Sequence, residues 1–518
     1  MFNKKVSFIK FIFLVVLFDI ALYHVPLFSF VVSNLDLSSV SGVLTVFSVV
    51  VSLFSVSAFI LFLLASVLPV FMFKILVSVI FISNAIAVYF VNTYHVVLDK
   101  SMMGNVFNTR TVEAMSCYDS KIFIYIFVLG ILPSVIFWKL KVIPSKRLKV
   151  LGVGIVSLVA GVFLMYLNST TWLWFDKNAR ILGALAMPWS YSINAIRYKV
   201  KELKKSKVQV LLPDAKFVDD KKMVVVLVIG ESARAKDFSL YGYDKKTNPL
   251  LEKEDVVVLK NSHSTATYTT ASVHSILSYK GSSSDDFEPL PSYLHRAGAY
   301  VIWRSKNWGE PKLNIDKYQK AGELEKYCKT RGCKYDEVLD TNLTKEILDA
   351  PKKKVFIVLH TAGSHGPTYF KKYPKEFEKF KLVCKSVDLK TCSEEELINA
   401  YDNTIVYTDY FLDKTINFLK SLKGIPTVLL YLSDHGESLG EYGLYLHGTP
   451  YGIAPKFQKD IPFIVWESDA FLRSRGWNKP YVKKSNSYGQ YNIFHTVLGA
   501  FGLKSSVYDK SLDLFSSD

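Results

Sequence analysis

The sequence predicts two parts: an N-terminal domain of five membrane-spanning helices and a C-terminal α/β domain built on a mostly parallel sheet. Three observations predict this. The mean hydropathy of the 518-residue chain is +0.20, too apolar for an all-soluble protein. The charges are uneven: residues 1–167 hold 12 Lys+Arg and 5 Asp+Glu, against 51 and 41 in the remainder. Beyond Met223, continuous β-branched runs alternate with helical stretches, the pattern of buried parallel strands. Half the residues are hydrophobic and 21% are charged, which excludes a disordered chain. The net charge of +17 beside an apolar third favours an anionic membrane surface over nucleic acid as partner.

The apolar third, residues 1–167, divides into spans near 8–31, 40–66, 70–91, 121–139 and 149–167. Each approaches the ~20 residues needed to cross ~30 Å of hydrocarbon. Asp19 and His24 interrupt the first run and no small-residue cleavage site follows, so it is not a cleavable signal. Lys4, Lys5 and Lys10 precede span one, and Lys139, Lys141, Lys146, Arg147 and Lys149 lie between spans four and five. The positive-inside rule puts both groups, and the N-terminus, in the cytoplasm. Five spans that start inside end outside, so the rest of the chain is expected to be extracytoplasmic. Cys328 with Cys333 and Cys384 with Cys392 form two close pairs there, read as disulfides of an oxidising compartment. Neither pair has the C-x-x-C spacing of a zinc site. Cys117 is left over and expected to be free.

Residues 168–222 form a connector. Trp172, Trp174, Phe175 and Trp189 suit a membrane interface, and 196–208 is Lys-rich and helix-like. The globular domain covers 223–518. Its strongest strand candidates are 223–230, 355–360 and 427–434, with 256–260, 299–304 and 461–467 in support. In such sheets ligands bind beyond the carboxyl ends of the strands.

Polar chemistry follows those three strongest strands. The first runs into Gly230-Glu231-Ser232, the second into His360 and His365, the third into Asp434, His435 and Glu437, with His447 downstream. Carboxylates and imidazoles converging on one sheet edge suit zinc. Any one histidine alone reads better as a structural residue; three strand ends in agreement read as a metal site. A hydroxyl nucleophile is offered by the Ser/Thr-rich run 263–275, just before a helical pattern, where helix N-terminal N–H groups favour phosphate. A Ser/Thr helix cap is the competing explanation.

These residues resemble the phosphoethanolamine transferases of the alkaline-phosphatase/sulfatase superfamily, the family of the lipid A phosphoethanolamine transferases and the mobilised colistin-resistance enzymes. The resemblance covers essentially the whole chain. Its most specific segments are GESAR with FSLYGY (230–243), HTAGSHGPTY (360–369) and SDHGESLGEYGLYLHGTP (433–450). It implies that Glu231, Asp434 and His435 are zinc ligands and that the nucleophilic Thr is a fourth. Thr269 takes that place because T-T-A-S-V (269–273) matches the family's pattern, with Thr265 and Thr267 as competitors. One Zn2+ is implied as tightly bound; His365 and His447 resemble ligands of a second zinc or of the transferred phosphate. Asn307 and Lys312 resemble residues that hold the phosphoethanolamine group, Lys312 one position off the family spacing. Asn105, Thr109 and Glu113, spaced by four and hence on one helix face, match the family's loop that contacts the ethanolamine end of the donor. Family members often have a disulfide bracketing the nucleophile; here those positions are Thr265 and Ser275.

The resemblance implies a ping-pong transfer of phosphoethanolamine from phosphatidylethanolamine, through a covalent Thr intermediate, to an anionic envelope lipid or glycan such as lipid A or the lipopolysaccharide core. The enzyme is expected in a bacterial inner membrane, as a monomer, with its catalytic domain in the periplasm. The alternatives are a phosphoglycerol transferase of the lipoteichoic-acid-synthase type, or transfer to a periplasmic glycan or protein. A sulfatase is disfavoured because C/S-x-P-x-R is absent. A transporter is disfavoured because the spans hold few ionisable residues, chiefly Asp19 and His24.

Overall fold

The computed structural model describes residues 5–108, 119–168, 171–205, 209–282, 287–387 and 389–516. Residue contacts divide the chain into two compact units. The first takes in the helices up to Lys201; the second runs from Glu202 to the C-terminus. The helices of the expected connector thus pack with the first unit.

The first unit contains α1 (Phe8–Tyr23), α2 (Val25–Ser33), α3 (Val40–Val67), α4 (Val70–Tyr94), α5 (Lys100–Asn108), α6 (Lys121–Lys139), α7 (Arg147–Leu167), α8 (Trp172–Leu185) and α9 (Trp189–Lys205). Four of them, α3, α4, α6 and α7, are long and apolar enough to cross a membrane. The expected first span is a bent pair instead: α1 and α2 meet at 59°. Pro26 accounts for the break, because it has no N–H for the ladder and its ring crowds the carbonyl four residues back. Counted as one span, the pair makes five. Asp19 and His24 are buried in this unit. Asn84 Nδ2 donates to Asp19 Oδ1 at 2.7 Å and Tyr191 donates to Asn84 Oδ1 at 2.8 Å, which ties α1, α4 and α9 together.

The second unit is a three-layer α/β structure around a seven-stranded sheet. Its strands are β1 (Met223–Gly230), β2 (Val256–Val258), β3 (Tyr300–Ser305), β4 (Lys317–Lys320), β5 (Lys354–His360), β6 (Thr427–Ser433) and β7 (Phe463–Glu467). The spatial order is β2-β7-β6-β1-β5-β3-β4. Neighbours from β6 to β4 run parallel; β7 is antiparallel to both β6 and β2. The strand β4, KYQK, lies outside the candidates read from the sequence. It is a short polar edge strand, so it carries no apolar signal.

Alternation along β1 builds two cores. Val225, Leu227 and Ile229 face one layer, with α10 (Thr269–Leu277) and α12 (Asn492–Phe501). Val224, Val226 and Val228 face the other, with α11 (Glu394–Lys420). All eight β1 residues are buried, and each large apolar side chain so buried contributes about 1.5–3 kcal/mol. The long α11 starts at a capping box: Ser393 Oγ accepts from the Glu396 amide and Glu396 Oε2 accepts from the Ser393 amide. Two disulfides are present, Cys328–Cys333 and Cys384–Cys392. Cys117 lies outside the described residues.

Candidate active site

Sheet register assembles the site. Gly230 pairs with Ser433 across β1 and β6, Ile229 pairs with His360 across β1 and β5, and Ser305 pairs with His360 across β3 and β5. The four strands therefore end almost level. The next residues, Glu231, Asp434, Thr361 and Lys306-Asn307, emerge on one edge of the sheet. This is the carboxyl end, where parallel sheets bind ligands.

Glu231 and Asp434 are fully buried there with His435. Ser232, in the left-handed region at φ 56°, turns its amide onto Asp434 Oδ1 at 3.1 Å and its hydroxyl onto Glu231 Oε1 at 2.7 Å. The His435 amide also donates to Asp434 Oδ1, at 2.7 Å. Asp434 Oδ2 has no hydrogen-bond partner among the described residues. His435 Nδ1 lies 2.9 Å from the Gly436 carbonyl, which only accepts, so Nδ1 carries the hydrogen and Nε2 presents its lone pair. That nitrogen is 3.3 Å from Asp434 Oδ2 and 3.4 Å from Glu231 Oε1. Three acceptor atoms thus converge in one buried space, an arrangement that a divalent cation satisfies.

The electrostatics agree. Burial pushes Asp434 well above the usual carboxylate range, and the Glu231 carboxylate beside it pushes the same way. Burial pushes Glu231 upward as well, but the His435, His365 and His447 rings outweigh it and hold the group low. Burial lowers His435 to about 4, and the His447 ring adds to the fall. Glu231, His435 and His447 each offer one ligand atom, all within 4.8 Å of one another. The residues present fit a metal cofactor.

Thr269 is the first residue of α10 and is 3% exposed. Its hydroxyl donates to Glu231 Oε2 at 3.1 Å and lies 3.5 Å from His435 Nε2. The two other threonines are occupied elsewhere: Thr265 donates to Gln490 Oε1 at 2.7 Å and Thr267 to the Thr449 carbonyl at 2.6 Å. Gly309, at φ 106°, brings the 307–310 turn against Thr269; a Cβ there would sit 3.3 Å from Thr269 Cγ2.

The remaining sequence-derived residues divide. Asn307 Nδ2 donates to Glu231 Oε2 at 2.7 Å and to the Thr361 carbonyl at 2.9 Å. The His447 ring is 4.2 Å from the His435 ring and 5.2 Å from the His365 ring. Lys312 is exposed and makes no hydrogen bond or ion pair to the described site residues; its carbonyl accepts from Gln209. Asn105 lies on α5, and Thr109 and Glu113 lie outside the described residues.

Sequence reasoning passed over a supporting ring. Tyr369 donates to Glu437 Oε1 at 2.7 Å, and Glu437 Oε2 holds His447 Nδ1 at 2.9 Å. Asp336 accepts from the amides of Ala362 and Gly363 at 2.8 and 3.0 Å, which fixes the turn carrying His365. Only the position of Glu437 in the DHGE string pointed to any of these.

Comparison with known proteins gives the same picture over the whole chain. The Sulfatase family model matches residues 223–503, and the model for "Phosphoethanolamine transferase EptA/EptB" matches 53–203. The chain is 41% identical over 511 residues to phosphoethanolamine transferase EptA of Helicobacter pylori, covering 95% of this chain and 94% of that one. It is 33% identical over 429 residues to phosphatidylethanolamine transferase Mcr-1 of Escherichia coli, covering 76% and 78%. The solved integral membrane lipooligosaccharide phosphoethanolamine transferase A of Neisseria meningitidis superposes with a TM-score of 0.86 at 28% identity, covering 99% of both chains. An apolar helical N-terminal region, a parallel-sheet domain with acidic and imidazole groups at its carboxyl edge, and end-to-end similarity lead to one assignment: this chain belongs to the phosphoethanolamine transferase family of the alkaline-phosphatase/sulfatase superfamily.

Proposed function

We propose that the chain transfers phosphoethanolamine from phosphatidylethanolamine to lipid A or the lipopolysaccharide core, with Thr269 as nucleophile. The observation that carries this reading is the buried Thr269 hydroxyl, 3.1 Å from Glu231 Oε2 and 3.5 Å from His435 Nε2. The acceptor class is supported by a relative named Kdo(2)-lipid A phosphoethanolamine 7''-transferase from Escherichia coli, 24% identical over 478 residues. One solved relative is an integral membrane protein and another is a C-terminal periplasmic domain, which supports a membrane enzyme whose catalytic unit faces the periplasm; the basic residues flanking spans one, four and five are the support for a cytoplasmic N-terminus.

Glu231, Asp434, His435 and Thr269 hold the metal on this reading, and zinc is the ion their mixed N/O set suits. When bound, it supplies positive charge that lowers the pKa of a hydroxyl and offsets charge on phosphoryl oxygens. The protein's own part is alignment. Glu231 Oε2 orients the Thr269 hydroxyl, and Asn307 holds that carboxylate in place. The Thr269 oxygen forms a bond to phosphorus as the bond to the diacylglycerol oxygen breaks, and the Thr269 hydroxyl proton passes by way of Glu231 Oε2 to the departing oxygen, which leaves as diacylglycerol. The acceptor oxygen then displaces Thr269. His365 and His447 line the same space, suited to the transferred phosphate or to a second ion.

The test is mass spectrometry of lipid A from cells with and without the protein, together with peptide mapping of the purified chain after exposure to donor alone. The expected results are one added phosphoethanolamine on the acceptor and one on Thr269. Modification of Thr265 or Thr267 instead, or an unmodified acceptor, would overturn it.

A further inference from the structure

We propose that the membrane unit contains a docking site for one zwitterionic phospholipid, formed wholly by its own helices. A cavity of about 870 Å³ lies between α2 and α3 on one side and α8 and α9 on the other. That volume is at the upper end of ligand pockets, roughly 300–1,000 Å³, and suits one or two acyl chains rather than the many of lipid A. One wall is an apolar stripe of a spanning helix: Val49, Leu53 and Val56 recur at i, i+4 and i+7 of α3. The opposite wall is polar at intervals. Arg180 of α8 and Arg197 of α9 line the cavity and are exposed, suited to a lipid phosphate, and the exposed Asp176 is suited to an ammonium. Arg180 is held in place by Asp99 at 3.2 Å, and Asp99 Oδ1 in turn accepts from the Met102 amide. The charged lining carries both signs, with Lys100, Arg180 and Arg197 for a phosphate and Asp176 for an ammonium while Asp99 holds Arg180, and above the apolar wall this matches a zwitterionic phospholipid better than a neutral one.

This inference rests on the transferase reading in one respect: the occupant is taken to be phosphatidylethanolamine, drawn from the bilayer and held for transfer. A natural probe of the cavity is Gly183. It lines the cavity within α8, and a Cβ there meets nothing within 4 Å. Gly183→Phe therefore starts from an unobstructed Cβ and puts a ring into the cavity, and Gly183→Ala adds only the Cβ.

The experiment uses the full chain in detergent micelles with a phosphatidylethanolamine bearing a photoreactive acyl chain. Labelled peptides are expected from residues 49–56 and 175–197, with labelling competed by unlabelled phosphatidylethanolamine. Gly183→Phe is expected to reduce labelling and raise KM for the diacyl donor roughly tenfold, the equivalent of about two buried methylenes lost, while Gly183→Ala changes neither. Turnover of a soluble donor without acyl chains is expected to be unchanged in both. Arg197→Gln, which leaves the Arg180–Asp99 pair intact, is expected to weaken labelling about fivefold. Labelling spread evenly over all spanning helices, labelling unaffected by Gly183→Phe, competition by lipopolysaccharide alone, or equal loss with both donors would overturn the proposal. Specific, competed labelling without transfer from any donor would uphold the site and reject the transferase reading.

Discussion

Asn307 Nδ2 donates to Glu231 Oε2 at 2.7 Å and spends its other hydrogen bond on the Thr361 carbonyl. The amide therefore steadies the carboxylate that orients Thr269. Asn307→Ala is expected to weaken metal binding about 10- to 100-fold, the usual loss when a group supporting a ligand is removed. Competition of the purified chain against a chromogenic zinc chelator measures it. Unchanged affinity with a raised donor KM would return Asn307 to direct substrate contact.

Thr269→Ala is expected to lower transfer by about three orders of magnitude or more while the variant still folds and inserts, as its circular-dichroism spectrum reports. Thr265→Ala and Thr267→Ala are expected to retain most of the activity, because their hydroxyls bond to Gln490 and to the Thr449 carbonyl. Fluorescent phosphatidylethanolamine turnover in micelles compares the three.

Removing metal is expected to destabilise the catalytic unit, since the buried acceptor atoms of Glu231, Asp434 and His435 then lie 3.3–3.4 Å apart without the cation that binds them together. Melting with and without chelator should differ by several degrees, and added Zn2+ should restore the original value. Mass action sets the scale: about 2.7 kcal/mol at a hundredfold excess over Kd.

Gly363 sits at φ 44°, and a Cβ there would lie 2.6 Å from the Glu231 carbonyl oxygen. Gly363→Ala combines backbone strain with that collision. It is expected to cost about 1–3 kcal/mol and to lower metal occupancy with it. Normal zinc content per chain in a stable variant would refute this.

Glu467 ends β7, 4% exposed, with Oε2 bonded to the Tyr481 amide and Oε1 without a partner among the described residues. Burial raises its pKa from 4.5 to about 7. The folded chain keeps this proton where the unfolded chain has lost it. The group's contribution to stability is thus full below 4.5 and is lost as pH rises to 7 and beyond. The loss is at most about 3 kcal/mol. Glu467→Gln is expected to flatten the decline of melting temperature between pH 5 and 8. An identical decline in parent and variant would sink the assignment.

Much of the fold was legible because its signals are local. Uninterrupted apolar runs of about spanning length need no partner to be recognised, and β1, β5 and β6 are mostly apolar runs buried along their whole length. The bend at Pro26 was present in the sequence as a proline within an apolar run; hydropathy averages it away. β4 escaped because an edge strand of KYQK is ordered by its pairing with β3, not by its own apolarity.

The candidate site follows the same division. Residue chemistry at three agreeing strand ends nominated Glu231, His360, His365, Asp434, His435, Glu437 and His447, and the family resemblance chose among them. What Asn307, Ser232, Tyr369 and Asp336 touch was settled by register and by turns from distant segments: Asn307 and Glu231 are 76 positions apart, Ser232 and Asp434 are 202 apart. The sequence by itself determined the two-part architecture and the donor atoms available to a metal, because hydropathy and side-chain chemistry belong to each residue. Only the tertiary structure decided which hydroxyl meets the carboxylate and which amides hold it, because a hydrogen bond depends on separations of a few tenths of an ångström that the packed sheet alone imposes.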